Sequence, residues 1–169
     1  MSSANAPAMP DIQTARLAPD QYALHFADAA PRLSRTQALV EAERCLYCFD
    51  APCATACPTG IDVPSFIRRI ADDNLRGAAT TILEANPLGG TCARVCPTEV
   101  LCEQVCVRHH QGGHQQGQPV AIGRLERFVG DMAIAEGWAN VPYIERNRFK
   151  VGIVGSGPAG MACAADMAK

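Results

Sequence analysis

Apolar residues recur at intervals of three and four along several stretches of the chain, and this spacing is typical of one buried helix face. The first stretch opens on Ser34-x-x-Gln37, a capping-box pattern, and predicts a short helix that ends close to Cys45. In the second stretch, Asp62 is the predicted N-cap. The third predicts a helix over about residues 75–84. The apolar positions on the second and third helices are Phe66, Ile67, Ile70, Ala78, Ala79, Ile82 and Leu83.

The pattern is interrupted after residue 85, where Asn86, Pro87, Gly89 and Gly90 are predicted to end the third helix. A short helix is predicted over Thr98–Val107, with two cysteines four residues apart on one face. Pro119 is predicted to open a longer amphipathic helix. A polar loop is predicted between these helices, and it is expected to hold His109, His110 and His114 in solvent.

The C-terminal residues predict a different kind of structure. Lys150–Val154 is an apolar run typical of a β-strand, and a helix of small residues is predicted after the glycines that follow. The predicted fold class is therefore mostly α, an irregular helical domain followed by the first βα unit of a truncated Rossmann-like domain. The predicted boundaries are an N-terminal arm (1–33), the helical domain (34–140), a linker (141–149) and the βα unit (150–169).

Composition and charge limit the cellular location and the binding partners that we expect for this protein. The formal net charge is −2, so neither nucleic acid nor an anionic membrane is an expected partner. The first ten residues lack the basic and apolar regions of a secretory signal, and no apolar run is long enough to span a membrane. These features predict a cytoplasmic protein. In that reducing compartment, the nine cysteines favour metal binding over disulfides.

The cysteines form two clusters with short spacings. The clusters are Cys45-x2-Cys48-x4-Cys53-x3-Cys57-Pro58, and Cys92-x3-Cys96-Pro97 followed by Cys102 and Cys106. The ending Cys-x3-Cys-Pro is that of bacterial ferredoxin runs, whereas structural zinc sites favour paired Cys-x2-Cys hairpins. Iron–sulfur clusters are therefore favoured over zinc, and eight cysteines match two [4Fe–4S] clusters. Spacing alone leaves their partition open. Cys163, the ninth, is predicted to be a small buried residue on the last helix.

The glycines after the predicted strand have the spacing Gly155-x-Gly157-x-x-Gly160 and the strand–turn–helix context of a dinucleotide-binding turn. The candidate cofactor-binding residues are Gly155, Gly157, Pro158, Ala159 and Gly160. The sequence stops at Lys169, before the acidic residue expected about twenty positions further on. We therefore expect a fragment of a longer protein that does not bind a nucleotide by itself.

Four segments resemble the N-terminal part of dihydropyrimidine dehydrogenases, in particular the iron–sulfur flavoprotein subunit of the bacterial NAD-dependent enzyme. They are Arg44–Ile70, Asn86–Cys106, Pro119–Phe128 and Val151–Gly160. The resemblance implies reversible reduction of uracil or thymine to the 5,6-dihydropyrimidine, with NAD(H) and FAD in the full-length protein. It also implies two [4Fe–4S] clusters that carry electrons to a partner catalytic subunit containing FMN. This chain would be an electron-transfer component and not the catalyst.

The resemblance also implies a ligand set. One cluster would be held by Cys45, Cys48, Cys53 and Cys106, and the other by Cys57, Cys96, Cys102 and Glu126. Mammalian enzymes have glutamine at the position of Glu126, and a carboxylate is expected to make that cluster harder to reduce. Cys92 would be a spare thiol close to the clusters. The alternative for Glu126 is an exposed helix residue paired with Arg124 or Arg127.

Two other functions fit parts of the pattern. Small subunits of glutamate synthase share the general scheme, and such a protein would oxidise NAD(P)H and feed electrons to an amidotransferase partner. A zinc module that serves as a docking platform would use only the cysteines. Oxidation of the reduced protein by uracil, or by 2-oxoglutarate with glutamine, separates the first two functions, and a colourless protein would indicate zinc.

Overall fold

A computed structural model describes residues 17–28, 30–110, 117–138, 145 and 147–169. The chain divides into two compact units, Met1–Pro31 and Arg32–Lys169. In the first unit, helix α1 (Pro19–His25) has proline in its first turn, and the Gln21 side chain accepts a hydrogen bond from the Ala18 N–H at 3.3 Å. No residue of α1 is buried, so local hydrogen bonds and not a packed face define this helix.

The second unit is mostly helical, as predicted, and its described residues form no β-strand. Its helices are α2 (Arg35–Glu43), α3 (Pro52–Thr55), α4 (Val63–Ala71), α5 (Leu75–Ala85), α6 (Gly89–Val95), α7 (Val107–His110), α8 (Ile122–Ala135) and α9 (Pro158–Met167). A short 3₁₀ turn at Thr98–Val100 separates α6 from α7.

Side-chain caps fix where the first long helices begin. The Ser34 hydroxyl accepts from the Gln37 N–H at 3.3 Å and the Gln37 side chain accepts from the Ser34 N–H at 2.9 Å, which confirms the capping box of α2. Asp62 accepts from the backbone N–H three residues on at 3.1 Å and caps α4 as predicted. Asn74 caps α5, and its Oδ1 atom accepts a hydrogen bond from the Gly77 N–H at 2.9 Å. These bonds satisfy N–H groups that have no partner within their helices.

The core lies where α4 packs against α2 and α5, and where α5 packs against α8. The predicted inner residues of α4, Phe66, Ile67 and Ile70, each expose 1% of their surface or less. Leu125 and Val129 of α8 are equally buried. Burial of each such side chain contributes about 1.5–3 kcal/mol relative to exposure. Helix α4 is therefore the central element of the unit.

Helix α6 begins where the sequence predicts a helix end, at Gly89 and Gly90. The reason is close packing. A Cβ atom at Gly89 would lie 2.5 Å from Ile82 Cγ2, and one at Gly130 would lie 3.2 Å from the Gly90 Cα. Since the glycines have no side chains, α6 approaches α8 closely at this point, and the contact outweighs the low helix propensity of glycine. The crossing brings the second cysteine cluster next to α8.

The helix predicted over Thr98–Val107 is wrong. The backbone leaves helical geometry at Leu101, where φ is −120° and ψ is −112°. The N–H of Cys106 bonds to the Glu103 carbonyl only three residues back, at 3.2 Å. The Glu103 carboxylate accepts a hydrogen bond from the Gly123 N–H at 3.0 Å. This tertiary contact with the start of α8 favours a series of turns over a regular helix.

Helix α8 begins at Ile122, three residues after the predicted opening at Pro119. The Arg44 guanidinium donates to the carbonyl oxygens of Gln118, at 2.6 Å, and Pro119, at 3.2 Å. These two carbonyl oxygens therefore accept hydrogen bonds from the Arg44 side chain, and α8 begins after them. His109 and His110 belong to α7 and not to the predicted polar loop, and His114 lies outside the described residues.

Residues 150–156 form neither helix nor strand, so the predicted strand Lys150–Val154 is not confirmed. A strand needs a neighbour for its ladder hydrogen bonds, and the described residues form no other strand. The glycine turn does form, with φ of +111° at Gly155, and α9 follows it as predicted. Cys163 on α9 is exposed, so the prediction of a buried residue is wrong. Among the described residues no strand forms, so no sheet covers that face of α9.

Candidate metal centres

Four cysteines line one cavity, which we call cavity A. Cys45 and Cys48 lie in the turn after α2, Cys53 lies on α3, and Cys106 immediately precedes α7. About 380 Å³ of this cavity, partly open to solvent, is not filled by protein atoms. The wall around the thiols is largely apolar and includes Val63, Ile67, Val120 and Ile122.

The turn between Cys45 and Cys48 depends on Tyr47, whose φ is +50°. A left-handed conformation costs a non-glycine residue about 1–2 kcal/mol. Two contacts hold the side chain in place. Its hydroxyl donates to the Ala42 carbonyl at 3.4 Å, and the Arg68 guanidinium lies 5.3 Å from the ring centre. The cost of the turn is thus offset by contacts with α2 and α4.

Two arginines connect the segments around cavity A. The Arg108 Nε–H donates to the Arg44 carbonyl at 2.8 Å and joins α7 to the residue before Cys45. The Arg44 side chain donates to Glu41. Glu41 accepts in turn from the Ala121 N–H at 2.8 Å, and its negative charge is favourable at the N-terminus of α8. Sequence reasoning missed this network because its partners are far apart in the chain and belong to no motif.

Burial stabilises the protonated form of two thiols in cavity A, those of Cys45 and Cys53. Burial raises the pKa of Cys53 to about 11, and the charge of Cys45 adds to this shift. The pKa of Cys45 is also raised, mainly by burial and further by Cys106 and Cys48, while Arg108 lowers it. Cys45 therefore lies within electrostatic range of the other three thiols. Since iron binds thiolates, metal binding here must release protons.

Four other cysteines and Glu126 line a second cavity, cavity B. Cys57 lies in the turn after α3, Cys92 on α6, Cys96 at the C-cap of α6, and Cys102 in the turns before α7. About 570 Å³ of this cavity, partly open to solvent, is not filled by protein atoms. Cavity B thus includes the last cysteine of the first sequence cluster, whereas cavity A includes the last cysteine of the second. The two sequence clusters are interleaved in space.

Glu126 is the acidic residue of cavity B, and only 7% of its surface is exposed. Its Oε1 atom has no hydrogen-bond partner among the described residues. Burial raises the pKa of this carboxyl to about 7. An ionised carboxylate in such a place is costly unless it gains a partner. The alternative prediction of an exposed glutamate is therefore wrong.

Electrostatic effects also connect the residues of cavity B with one another. Burial raises the pKa of Cys102 to about 12, and after the adjacent Glu103 the charges of Cys96, Cys57 and Glu126 add to the shift. The pKa of Cys96 is raised by burial and then by Glu126, Cys92 and Cys57. Glu126 and Cys92 thus both lie within electrostatic range of Cys96, and Glu126 also lies within range of Cys102.

The two cavities share an apolar partition, since Val63 and Ile122 line both of them. A structural zinc site is closed by four ligands about 2.0–2.3 Å from one ion. Among the described residues, no three Cys, His, Asp or Glu side chains are grouped tightly enough to hold a single ion. The thiols surround a space, and the soft donors fit a [4Fe–4S] cluster in each cavity. The unpaired Oε1 of Glu126 would gain a partner in such a site.

A helical domain whose thiols surround two apolar-walled cavities has the architecture of an iron–sulfur electron-transfer protein. Comparison with known families agrees with this class. The sequence model of the family described as dihydropyrimidine dehydrogenase domain II, 4Fe-4S cluster, matches residues 22–138. The chain belongs to this family, which confirms the resemblance seen in its cysteine-containing segments.

Curated relatives carry consistent names. The NAD-dependent dihydropyrimidine dehydrogenase subunit PreT of Escherichia coli K12 is 44% identical over 137 residues, which are 81% of this chain and 32% of the relative. The PreT homolog of Salmonella typhi is 42% identical over the same shares. UacF of Escherichia coli K12, named as an oxidoreductase, is 36% identical over 148 residues, 86% of this chain and 22% of the relative. The chain thus spans about a third of the length of the PreT relatives.

The predicted nucleotide-binding residues line neither cavity. They are Gly155, Gly157, Pro158, Ala159 and Gly160. A Cβ atom at Gly160 would lie 2.1 Å from the Gly155 carbonyl oxygen, so this close turn requires glycine. No helix within the described part of the chain is long and apolar enough to cross a membrane.

Proposed function

We propose that this chain is the two-cluster iron–sulfur part of an electron-transfer subunit of an NAD-dependent dihydropyrimidine dehydrogenase. The observation that carries the proposal is the sorting of eight cysteines and Glu126 into two neighbouring cavities. Family membership supports a [4Fe–4S] domain, and the names of the PreT relatives support the enzyme.

The proposed ligands follow the two cavities. Cys45, Cys48, Cys53 and Cys106 would hold the cluster of cavity A, and Cys57, Cys96, Cys102 and Glu126 that of cavity B. Glu126 is preferred to Cys92 as the fourth ligand of cavity B because its oxygen is buried without a partner.

A [4Fe–4S] cluster accepts and releases one electron, and no covalent bond of the protein forms or breaks in this step. The residues of this chain have three tasks around it. The thiolates bind the iron atoms. The apolar partition of Val63 and Ile122 excludes water between the two cavities, and the N-terminal caps of α4 and α8 keep the cavity walls in place. Arg108 adds a positive charge beside cavity A only.

The rest of the proposal concerns the longer protein. We propose that the glycine turn at Gly155–Gly160 belongs to an FAD-binding Rossmann-like domain that is oxidised or reduced by NAD(H). The partner would be an FMN-containing catalytic subunit, on which uracil or thymine and their 5,6-dihydro forms interconvert. Support comes from the glycine geometry in this chain and from the names of relatives that are about two and a half times as long.

The first test is the metal content of the chain purified without oxygen. Two clusters predict about eight iron and eight acid-labile sulfide per chain and a brown protein. The exposed Cys163, which lines neither cavity, provides a control, and Cys163→Ala should keep the full content. Zinc without sulfide would rule out the electron-transfer function.

The second test addresses the substrate. The full-length protein with its FMN-containing partner is reduced with NADH, and the return of the oxidised flavin and cluster spectra is followed after addition of uracil. Uracil should reoxidise the complex, and 2-oxoglutarate with glutamine should not. The opposite result would favour a glutamate synthase-like function for the same two-cluster domain.

A further inference from the structure

Cavity B contains one potential ligand more than a [4Fe–4S] cluster uses. Each of the four irons takes one protein ligand, but four thiols and the Glu126 carboxylate line this cavity. Cavity A has four thiols and no carboxylate. The extra donor in cavity B is either Cys92, which lies on α6, or Glu126, which lies on α8.

We propose that Glu126 and Cys92 are alternative ligands of the same iron, with Glu126 bound in the resting protein and Cys92 held in reserve. This inference rests on the proposed function, since it requires a cluster in cavity B. It makes Cys92 on α6 a possible fifth ligand of the cavity, in addition to the four ligands proposed above.

The placement of the two donors follows from the helix crossing at Gly90 and Gly130, where a Cβ on Gly130 would lie 3.2 Å from the Gly90 Cα. Cys92 lies two residues after Gly90, and Glu126 lies four residues, or about one turn, before Gly130. Both side chains line the same cavity from two helices that are packed together at this crossing. Neither donor requires a loop to move before it reaches the cavity.

The side chains also differ in how strongly they need a metal. Glu126 is 7% exposed and its Oε1 has no hydrogen-bond partner among the described residues. Cys92 is partly exposed, and a neutral thiol needs no hydrogen bond to be stable in an apolar wall. Glu126 therefore gains more than Cys92 from binding iron.

The exchange is balanced in protons and in electrons. The Cys92 thiol gives up its proton, the bond between iron and the Glu126 oxygen breaks, and a bond between iron and the Cys92 sulfur forms. The released carboxylate takes up the proton, and the oxidation state of the cluster does not change. Thiolate is the softer donor, and iron–sulfur clusters accept it readily.

The test compares Cys92→Ala, Glu126→Ala and the double variant, each purified without oxygen and analysed for iron, sulfide and the electron paramagnetic resonance of the reduced protein. We expect both single variants to keep about eight iron, and the double variant to fall to about four. The cavity B signal should change in Glu126→Ala, because sulfur replaces oxygen, and should be unchanged in Cys92→Ala.

Retention of the cavity A signal shows that a variant is folded. A further variant, Cys92→Ala with Glu126→Gln, returns an oxygen donor and should recover about eight iron, which separates loss of a ligand from loss of structure. Loss of about four iron in Glu126→Ala alone would overturn the proposal, since Cys92 then does not replace the carboxylate. Full iron in the double variant would overturn it as well. A wild-type chain without iron and sulfide would refute the proposed function itself.

Discussion

Cavities A and B differ in how the fold places their thiols. Around cavity A, the cysteines lie in turns and at the ends of short helices, and Arg44 and Arg108 connect these segments to one another. Around cavity B, Cys92 and Glu126 lie on two helices that cross at a pair of glycines. One site is therefore held by polar contacts across long sequence separations, and the other by close helix packing.

The cavities also differ in charge. Arg108 lines cavity A, whereas the lining of cavity B includes Glu126 and no arginine or lysine. A nearby positive charge favours a cluster's reduced form, which carries one more negative charge, whereas the Glu126 carboxylate has the same charge as the fourth thiolate of cavity A. We therefore expect the cluster of cavity B to have the lower potential. The comparison teaches that two similar sets of cysteines acquire different properties from the residues packed around them.

The largest expected effect separates the two ligand sets. Cys53→Ala should remove only the cluster of cavity A and Cys102→Ala only that of cavity B, so that each variant keeps about four iron. Spectra of the reduced variants would then assign one signal to each cavity. If Cys102→Ala and Cys53→Ala lost the same signal, the interleaved arrangement would be wrong.

Two neighbouring core residues provide the next test, because Phe66 lines cavity B and Ile67 lines cavity A. Phe66→Ala should lower the free energy of unfolding by about 3–5 kcal/mol and Ile67→Ala by about 2–5 kcal/mol, from lost burial and a new void. Urea unfolding of the metal-free protein measures both. Val40→Ala, at an exposed position on α2, should change the stability by no more than about 0.5 kcal/mol.

The same pair also tests the sites. In the metal-loaded protein, Phe66→Ala should weaken iron retention in cavity B first, and Ile67→Ala in cavity A first, as judged from the two assigned signals during treatment with a chelator. Equal loss from both cavities in each variant would mean that the core acts as one unit and that the separate walls are unimportant.

Charge substitutions should produce opposite shifts in reduction potential. Arg108→Gln should lower the potential of cavity A, and Glu126→Gln should raise that of cavity B, in redox titrations of the two signals. An interaction of about 1 kcal/mol corresponds to roughly 40 mV for one electron. Arg76→Gln, on the exposed side of α5, is the matched control and should shift neither. Unchanged potentials in Arg108→Gln and Glu126→Gln would contradict the electrostatic comparison.

The smallest effects should come from the helix caps near each cavity. Ser34 caps α2, which leads to Cys45, and Glu103 caps α8, which carries Glu126. Ser34→Ala and Glu103→Ala should each destabilise the protein by about 1 kcal/mol in urea unfolding. Glu84→Ala, exposed near the C-terminal end of α5, should not destabilise it, because a negative charge there opposes the helix dipole. A larger loss in Glu84→Ala than in Glu103→Ala would refute the capping role.

Local chemistry made much of the fold predictable. The capping box at Ser34 and the cap at Asp62 involve groups only three residues apart, so the sequence contains both partners. The buried face of α4 follows from helical periodicity alone. In contrast, α6 could not be predicted, because glycine favours a helix end unless another backbone lies close to it. The turns after Thr98 depend likewise on Glu103 reaching α8.

Cysteine spacing in the sequence by itself determined that this is a cluster-binding protein, since closely spaced cysteines with Cys-Pro endings are needed to place several thiolates in tight turns. Family-specific segments in the same sequence determined its family. Spacing alone left the grouping of the cysteines open, and the tertiary structure brings Cys106 to the cavity of the first three cysteines and Cys57 to that of the later ones, as the family resemblance implies. It also decided that Glu126 is buried and that Cys163 is exposed. The reason is that burial and the grouping of donors depend on which helices pack together, and neither is encoded in the spacing of residues along the chain.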